Sequence, residues 1–455
     1  MCKYQLVMQN KQSQSTAAVI PLIKRDIVLC PELTGHQETF IMMRAWLSLW
    51  LVSAAVCLCL AHHHLSYDQS DDQDTAVENA TDGVSLVAAA NREFAFRLYR
   101  KLAAHADSQG KNVFYSPRSV SLALSALSAG ARGETHQQLF SGLGFNSSVL
   151  TQAAVDEAFR TMLRKANAKS SKDSSEGTAV FIDDHFKANP DFLSVLQRSY
   201  SAEAFNVDFL KTKESADTIN DYVSKKTSGK IDKLVEGLDA STVMYLISYI
   251  YFKGKWETPF EPESTRADEF LVDENTKVPV QMMYMEESVH TYYDMSINTS
   301  VLYLPFNGSS YGMMLLLPDD METLENSICP AHVTKWLKWM KKKQYDIHVP
   351  KFSIKTSYDL KDILTDMGMS DMFGDRANLA GISDLKLAVS QVVHKATLDV
   401  DEAGATATAA TGIGITLLSF RIVPVLKFNR PFMVVVIDRV SQDTLFLGKI
   451  VNPNV

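Results

Sequence analysis

The chain has 455 residues, and its chemistry-bearing side chains are scattered rather than gathered into an enzyme's signature. No H-E-x-x-H zinc helix, C-x-x-C redox pair or phosphate-binding G-x-x-x-x-G-K-[ST] loop occurs, and no G-x-S-x-G nucleophile elbow is expected. The triplet His62-His63-His64 is read as part of a polar tail rather than a metal site. The cysteines are Cys2, Cys30, Cys57, Cys59 and Cys329. The C-x-C pair Cys57 and Cys59 lies inside an apolar run, so it is not a metal site. Only Cys329 follows the expected mature start, so no intramolecular disulfide is expected there, and the lone thiol is read as passive. Stability must then come from a large core, which a chain of this length can supply.

The segment with the most unusual composition is Glu402-Ala403-Gly404-Ala405-Thr406-Ala407-Thr408-Ala409-Ala410-Thr411-Gly412-Ile413-Gly414-Ile415. It carries no charge after Glu402 and nothing bulky before Ile413. Ordinary loops use Asn, Asp, Ser and Pro, and helices avoid this density of Thr and Gly. As a strand it would put Ala405, Ala407, Ala409 and Thr411 on one face, all small enough for a packed sheet. A charge on that face would cost several kcal/mol, roughly the burial penalty of an unpaired ion. A flexible Ala/Thr linker has the same composition, and composition alone does not separate the two.

Regular elements must position these residues. Phe94, Leu98 and Leu102 recur at helical spacing within Ser85–Ala103. Ser116–Ala131, opened by Ser116-Pro117, reads as a buried helix rich in Ala and Leu. Strand-like runs follow at 243–252, 301–304, 313–317, 345–352, 417–428, 432–437 and 444–451. Helices come mainly first and strands mainly later, without βαβ alternation, which indicates an α+β domain with large, mostly antiparallel sheets. The formal net charge of −8 argues against a general nucleic-acid binder.

Met43 to Ala61 has a basic start, a short apolar heart and a small final residue, which is the pattern of a signal peptide over 42–61. Residues 1–41 form an extension upstream, with Met42 or Met43 expected as the true start. The run is short for a membrane span. Residues 62–87, with Asp68, Asp71, Asp72 and Asp74, read as an acidic disordered tail, and 88–455 as a single domain. Sequons occur at Asn79, Asn146, Asn298 and Asn307 and, with secretion, are expected to carry glycan.

Several motifs then converge on one family. Asn112-Val113-Phe114-Tyr115-Ser116-Pro117, Tyr251-Phe252-Lys253-Gly254-Lys255-Trp256, Val393-His394-Lys395-Ala396, Val400-Asp401-Glu402-Ala403-Gly404, Phe428-Asn429-Arg430-Pro431-Phe432 and Phe446-Leu447-Gly448-Lys449-Ile450-Val451-Asn452-Pro453 resemble serpins, from about Ala90 to the end. Within them the chain is similar to the α1-antitrypsin and α1-antichymotrypsin group. The resemblance implies three β-sheets, about nine helices and an exposed reactive-centre loop at about 402–425. It implies a hinge at Glu402, Gly404, Ala405, Thr406, Ala407, Thr408, Ala409, Ala410 and Thr411, and a cut between Leu418 and Ser419. It implies a sheet-opening cluster of Ser116, Ser119, Ser248 and His394, with Ser248 where the family usually has Asn. Trp256 and a Lys351–Glu402 ion pair are implied at the sheet top.

The expected function is secreted, monomeric inhibition of a serine protease as a suicide substrate, with no catalysis, cofactor, nucleic acid or membrane. Leu418 points to chymotrypsin-like targets, with elastase-like ones as a second class. The alternative is a hormone carrier from the same group. An endoplasmic-reticulum chaperone is disfavoured, because the chain ends Asn452-Pro453-Asn454-Val455 without a retention signal. The run from Lys335 to Lys343 is read as a helix with Trp336, Trp339 and Met340 on one face and Lys335, Lys338 and Lys342 on the other. With Lys341 it could take a heparin-like polyanion. Arg160, Arg164, Lys165 and Lys169 make a weaker patch. A plain solvated helix face is the favoured reading of both.

Overall fold

The structure is a computed structural model that describes residues 72–167, 174–403 and 423–455. Side chains are described from Gly83, apart from those of 166, 167 and 174. The chain divides into two compact units, 1–78 and 79–455, and the second contains every sheet. Nine α-helices and fourteen strands are present among the described residues.

The helices are α1 (Asp72–Ala104), α2 (Pro117–Gly130), α3 (Gly133–Leu143), α4 (Gln152–Asn167), α5 (Pro190–Tyr200), α6 (Thr212–Lys226), α7 (Met321–Ser327), α8 (Pro330–Trp339) and α9 (Lys361–Asp366). The start of α1 corrects one expectation. Residues 72–87, expected as part of a disordered tail, are helical. Helix α2 is buried on almost every side, which its small residues permit. Ser116 caps it by accepting from the Ser119 N–H at 3.2 Å, and Pro117 fills the first turn, where its missing N–H costs nothing.

A five-stranded sheet has the order β10-β11-β4-β2-β3, formed by β2 (Ser174–Asp183), β3 (Glu203–Val207), β4 (Met244–Lys253), β10 (Phe352–Asp359) and β11 (Gln391–Val400). A nine-stranded sheet runs β1-β14-β13-β8-β7-β6-β9-β12, with β5 beside β6. Its members are β1 (Val113–Tyr115), β5 (Arg266–Leu271), β6 (Lys277–Asp294), β7 (Thr299–Pro305), β8 (Tyr311–Pro318), β9 (Lys341–Pro350), β12 (Val425–Lys427), β13 (Phe432–Asp438) and β14 (Thr444–Ile450). Strand β6 serves two parts of it. Residues 277–291 pair with β5 and β9, and residues 290–294 pair with β7. The expected three sheets are these two parts and the five-stranded sheet. Nine of the twelve strand pairs are antiparallel.

The two faces of the five-stranded sheet are covered differently. Leu246, Val392 and Val180 face the main core with α2. Tyr245, Ile247, Tyr249, Phe181 and Val393 pack under Ile219 and Val223 of α6. Residues 308–312 carry the letters G-x-S-x-G, so the spacing does occur. They lie in the β7–β8 turn and the start of β8, not at a strand-to-helix turn, and Ser310 Oγ bonds Asp438 Oδ2 at 2.5 Å.

Candidate functional site

Strands β4 and β11 meet at the centre of the five-stranded sheet, and they run parallel, with Ser248 opposite His394 and Lys253 opposite Asp399. Their outer neighbours, β2 and β10, are antiparallel to them. Strand β4 is buried along nine of its ten residues, as a central strand covered on both faces must be.

Halfway along this seam sits a buried polar cluster. Ser116, Ser119, Ser248 and His394 are each 0–1% exposed. The Ser116 backbone N–H donates to His394 Nε2 at 3.0 Å. Nε2 is therefore the acceptor, and the network assigns the ring proton to Nδ1. Nδ1 in turn donates to Ser248 Oγ at 3.0 Å, and Ser248 Oγ donates to Ser119 Oγ at 2.9 Å. Burial pushes the His394 pKa down to about 3, so the ring is neutral. The cluster thus ties the first turn of α2 to both strands of the seam. Thr178 of β2 stands opposite Ser248, and its buried hydroxyl has no hydrogen-bond partner among the described residues. Sequence reasoning missed Thr178, because Ser-Ser-Glu-Gly-Thr is a poor strand opening on propensity.

The upper end of the seam is ionic. Lys351 Nζ lies 2.8 Å from Glu402 Oε2, and Thr265 Oγ1 donates to Glu402 Oε1 at 2.9 Å. Lys253 Nζ lies 2.6 Å from Asp401 Oδ2. Burial alone would raise both carboxyls, but the bonds they accept outweigh it, and both titrate below their usual range. Trp256 is buried and stacked on Phe306, and its Nε1–H donates to the Asp401 carbonyl at 2.7 Å. Its backbone N–H donates to the Ala403 carbonyl at 3.2 Å. The described residues stop at Ala403 and resume at 423, where Val425 pairs with Asp346 of β9 in the other sheet. Gly404, Ala405, Thr406, Ala407, Thr408, Ala409, Ala410, Thr411, Leu418 and Ser419 lie outside the described residues.

A protein-family model described as "Serpin (serine protease inhibitor)" matches residues 89–453. The chain belongs to the serpin family. It is 38% identical to a serine protease inhibitor of Mus musculus over 416 residues, covering 89% of this chain and 99% of the relative. It is 35% identical to alpha-1-antichymotrypsin of Pongo abelii over 419 residues, covering 90% and 99%. Among solved structures, human thyroxine-binding globulin complexed with its ligand superposes with a TM-score of 0.76 at 32% identity, covering 82% of this chain and 100% of that one. Human glycosylated kallistatin gives 0.76 at 36% identity, covering 82% and 99%. The group that the motifs resembled is thus the group that matches, and protease inhibition is the function class of the family.

The lysine-rich run of this serpin departs from the expected helix. Helix α8 ends at Trp339, and Lys341 and Lys342 are the opening residues of β9. The Met340 N–H closes the helix on the Trp336 carbonyl, and Lys341 and Lys342 then pair with Thr291 and His290 of β6. Lys342 therefore does not share a helix face with Lys335 and Lys338. Trp336 is fully buried, whereas Trp339 is 56% exposed beneath the Lys338 ammonium. Lys335 is tied to the buried Asp294 at 2.9 Å, and Trp336 Nε1 donates to the same carboxylate at 2.7 Å. Lys338, Lys341 and Lys342 are exposed. Asn146, Asn298 and Asn307 are exposed as well, and the side chain of Asn79 lies outside the described residues. No helix of the described residues is long and apolar enough to cross a membrane.

Proposed function

We propose that this serpin traps chymotrypsin-like serine proteases as a suicide substrate cut between Leu418 and Ser419. The observation that carries the reading is the parallel β4–β11 pair. A strand that follows β11 through a reversal runs antiparallel to β11, and therefore antiparallel to β4 as well. The seam is thus a place where the segment after Ala403 fits both neighbours. Its small residues Ala405, Ala407, Ala409 and Thr411 suit a face that packs onto α2 or α6.

The chemistry is the protease's own. Its serine oxygen attacks the Leu418 carbonyl carbon and an acyl bond forms. The Leu418–Ser419 amide breaks, and the proton passes to the new Ser419 amine. The freed segment then enters the seam and draws the acylated protease away before water cleaves the ester. Elastase-like proteases are the second target class. Secretion, glycan on exposed Asn146, Asn298 and Asn307, a monomeric state, and a heparin-like polyanion held by Lys338, Lys341 and Lys342 belong to the same reading. The likeness to thyroxine-binding globulin favours a second reading, a hormone carrier.

The test is to mix the secreted protein with chymotrypsin. A denaturant-stable adduct and a released peptide beginning at Ser419 are expected. Another first residue would overturn the cut site, and substrate turnover without an adduct would favour the carrier.

A further inference from the structure

The first turn of α2 carries a second set of bonds that the seam cluster does not use. Arg118 lies between Ser116 and Ser119 in sequence, and its guanidinium reaches two different bodies. Towards the five-stranded sheet, it makes a two-bonded ion pair with Glu176 of β2, the Nε contact being 3.3 Å. Towards the nine-stranded sheet, Nη1 donates to Tyr311 Oη at 2.6 Å and to Asp443 Oδ2 at 3.2 Å. The side chains of Arg118, Glu176 and Asp443 are only 11%, 16% and 9% exposed, so water screens the set weakly.

Opening the β4–β11 seam must break part of this arrangement. A strand entering there separates β4 from β11 by roughly one more strand spacing, about 4.8 Å. Helix α2 is bonded to both halves, through Ser116 to His394 and through Ser119 to Ser248. It cannot keep both sets at hydrogen-bond length. The Asp443 and Tyr311 contacts hold Arg118 to the nine-stranded sheet, so α2 stays with that body. Strand β2, hydrogen-bonded to β4 along its length, shifts with it and carries Glu176 away from Arg118. A cavity of about 540 Å³ borders the pair, lined in part by Gly177, Tyr249 and Phe306.

We infer that Arg118–Glu176 is a latch that holds the β2–β4 half of the sheet against the body, so that its release helps set the rate at which a strand enters the seam. Arg118 and Glu176 act in this reading as positioning residues, through the sheet rather than on the scissile bond. The inference rests on the insertion reading above.

The experiment measures how fast a synthetic peptide of the sequence from Ala405 to Ile415 anneals to intact protein. It also compares the thermal midpoints of intact and Leu418-nicked forms. Glu176→Gln keeps the shape and weakens the pair. It is expected to speed annealing on the order of tenfold, and to lower the midpoint of the intact form but not that of the nicked form. Arg118→Lys keeps the charge but loses the two-bonded geometry, and should fall between the two. Glu203→Gln breaks the exposed Lys226–Glu203 pair on the same half of the sheet and should leave the rate unchanged. Equal annealing by wild type and Glu176→Gln, equal midpoint losses in both forms, or equal acceleration by Glu203→Gln would each overturn the latch. If wild type neither anneals peptide nor gains stability on nicking, the insertion reading itself falls, and the latch with it.

Discussion

The middle and the top of the β4–β11 seam are built on different physics. The middle is dry and neutral. Ser116, Ser119, Ser248 and His394 exchange directed hydrogen bonds at 2.9–3.2 Å with no formal charge among them. The top is ionic and wetter, and the Lys351 and Lys253 side chains are 47% and 33% exposed. An exposed ion pair is worth little and is screened by salt. A buried hydrogen bond is also modest when made, but leaving its partners unpaired costs about 1–3 kcal/mol for each group. The middle should therefore govern whether the sheet stays shut. The top should govern where the segment after Ala403 begins.

The largest effect is expected from breaking the middle. His394→Ala removes the acceptor for the Ser116 N–H and the donor to Ser248, and leaves a void between α2 and the sheet. Roughly 3 kcal/mol should be lost at neutral pH, read as a lower urea midpoint of the first unfolding transition. The wild type should also be sensitive to acid. The folded His394 pKa of about 3 lies below the ordinary 6.5. Between these values the unfolded chain binds a proton that the folded chain refuses. The stability this histidine contributes is complete above pH 6.5 and falls as pH drops towards 3, by up to ~1.4 kcal/mol per pH unit. The gap between wild type and His394→Ala should therefore narrow on acidification. A gap that stays constant from pH 7 to pH 4.5 would show that the ring is not held neutral.

The two parts of the seam were also unequally legible in the sequence. Buried helix α2 and most of the later strands follow from apolar patterning and the Ser116-Pro117 cap. The long strand β6 did not. Its run of Met282, Met283 and Met285 next to Glu286 and Glu287 follows no simple alternation, because it changes partners along its length. The polar cluster could be grouped only through family resemblance. Ser116 and His394 are 278 positions apart, and no local rule joins them. Arg118–Glu176 was missed for the same reason, and Thr178 because its strand opens on residues of poor strand propensity. A charged residue at the start of a buried helix reads as a solvated end until the fold supplies Glu176 and Asp443. The end of α8 was misjudged because three successive lysines continue a helical pattern just as well as they open an edge-facing strand.

A smaller gain should come from sharpening the middle. Ser248 presents one hydroxyl, and the Thr178 hydroxyl opposite it is buried without a partner among the described residues. An Asn amide is longer and offers both donors and an acceptor. Ser248→Asn should keep the His394 contact and satisfy Thr178, adding about 1 kcal/mol. It should also slow annealing of the loop peptide. Ser248→Asn combined with Thr178→Val isolates the new bond, since the Asn should then gain nothing. A gain that persists in the Thr178→Val background would assign it to packing instead.

The smallest effect is expected at the top, and its dependence on salt is the informative part. Lys351→Met keeps most of the side-chain volume and removes only the ammonium. The carboxylate it leaves behind still accepts from Thr265, so Glu402 is not abandoned. Because Lys351 is nearly half exposed, its Coulomb gain in the wild type is already offset by solvent and by lost side-chain freedom. The shift in unfolding midpoint should correspond to less than about 1 kcal/mol. At 1 M salt the Debye length contracts to about 3 Å, near the length of the ion pair itself, and the difference between Lys351→Met and wild type should largely vanish. The loss from His394→Ala involves neutral partners and should be the same at both ionic strengths. Equal salt dependence in the two variants would mean that the middle and the top rest on one kind of interaction, and the distinction between them would be wrong.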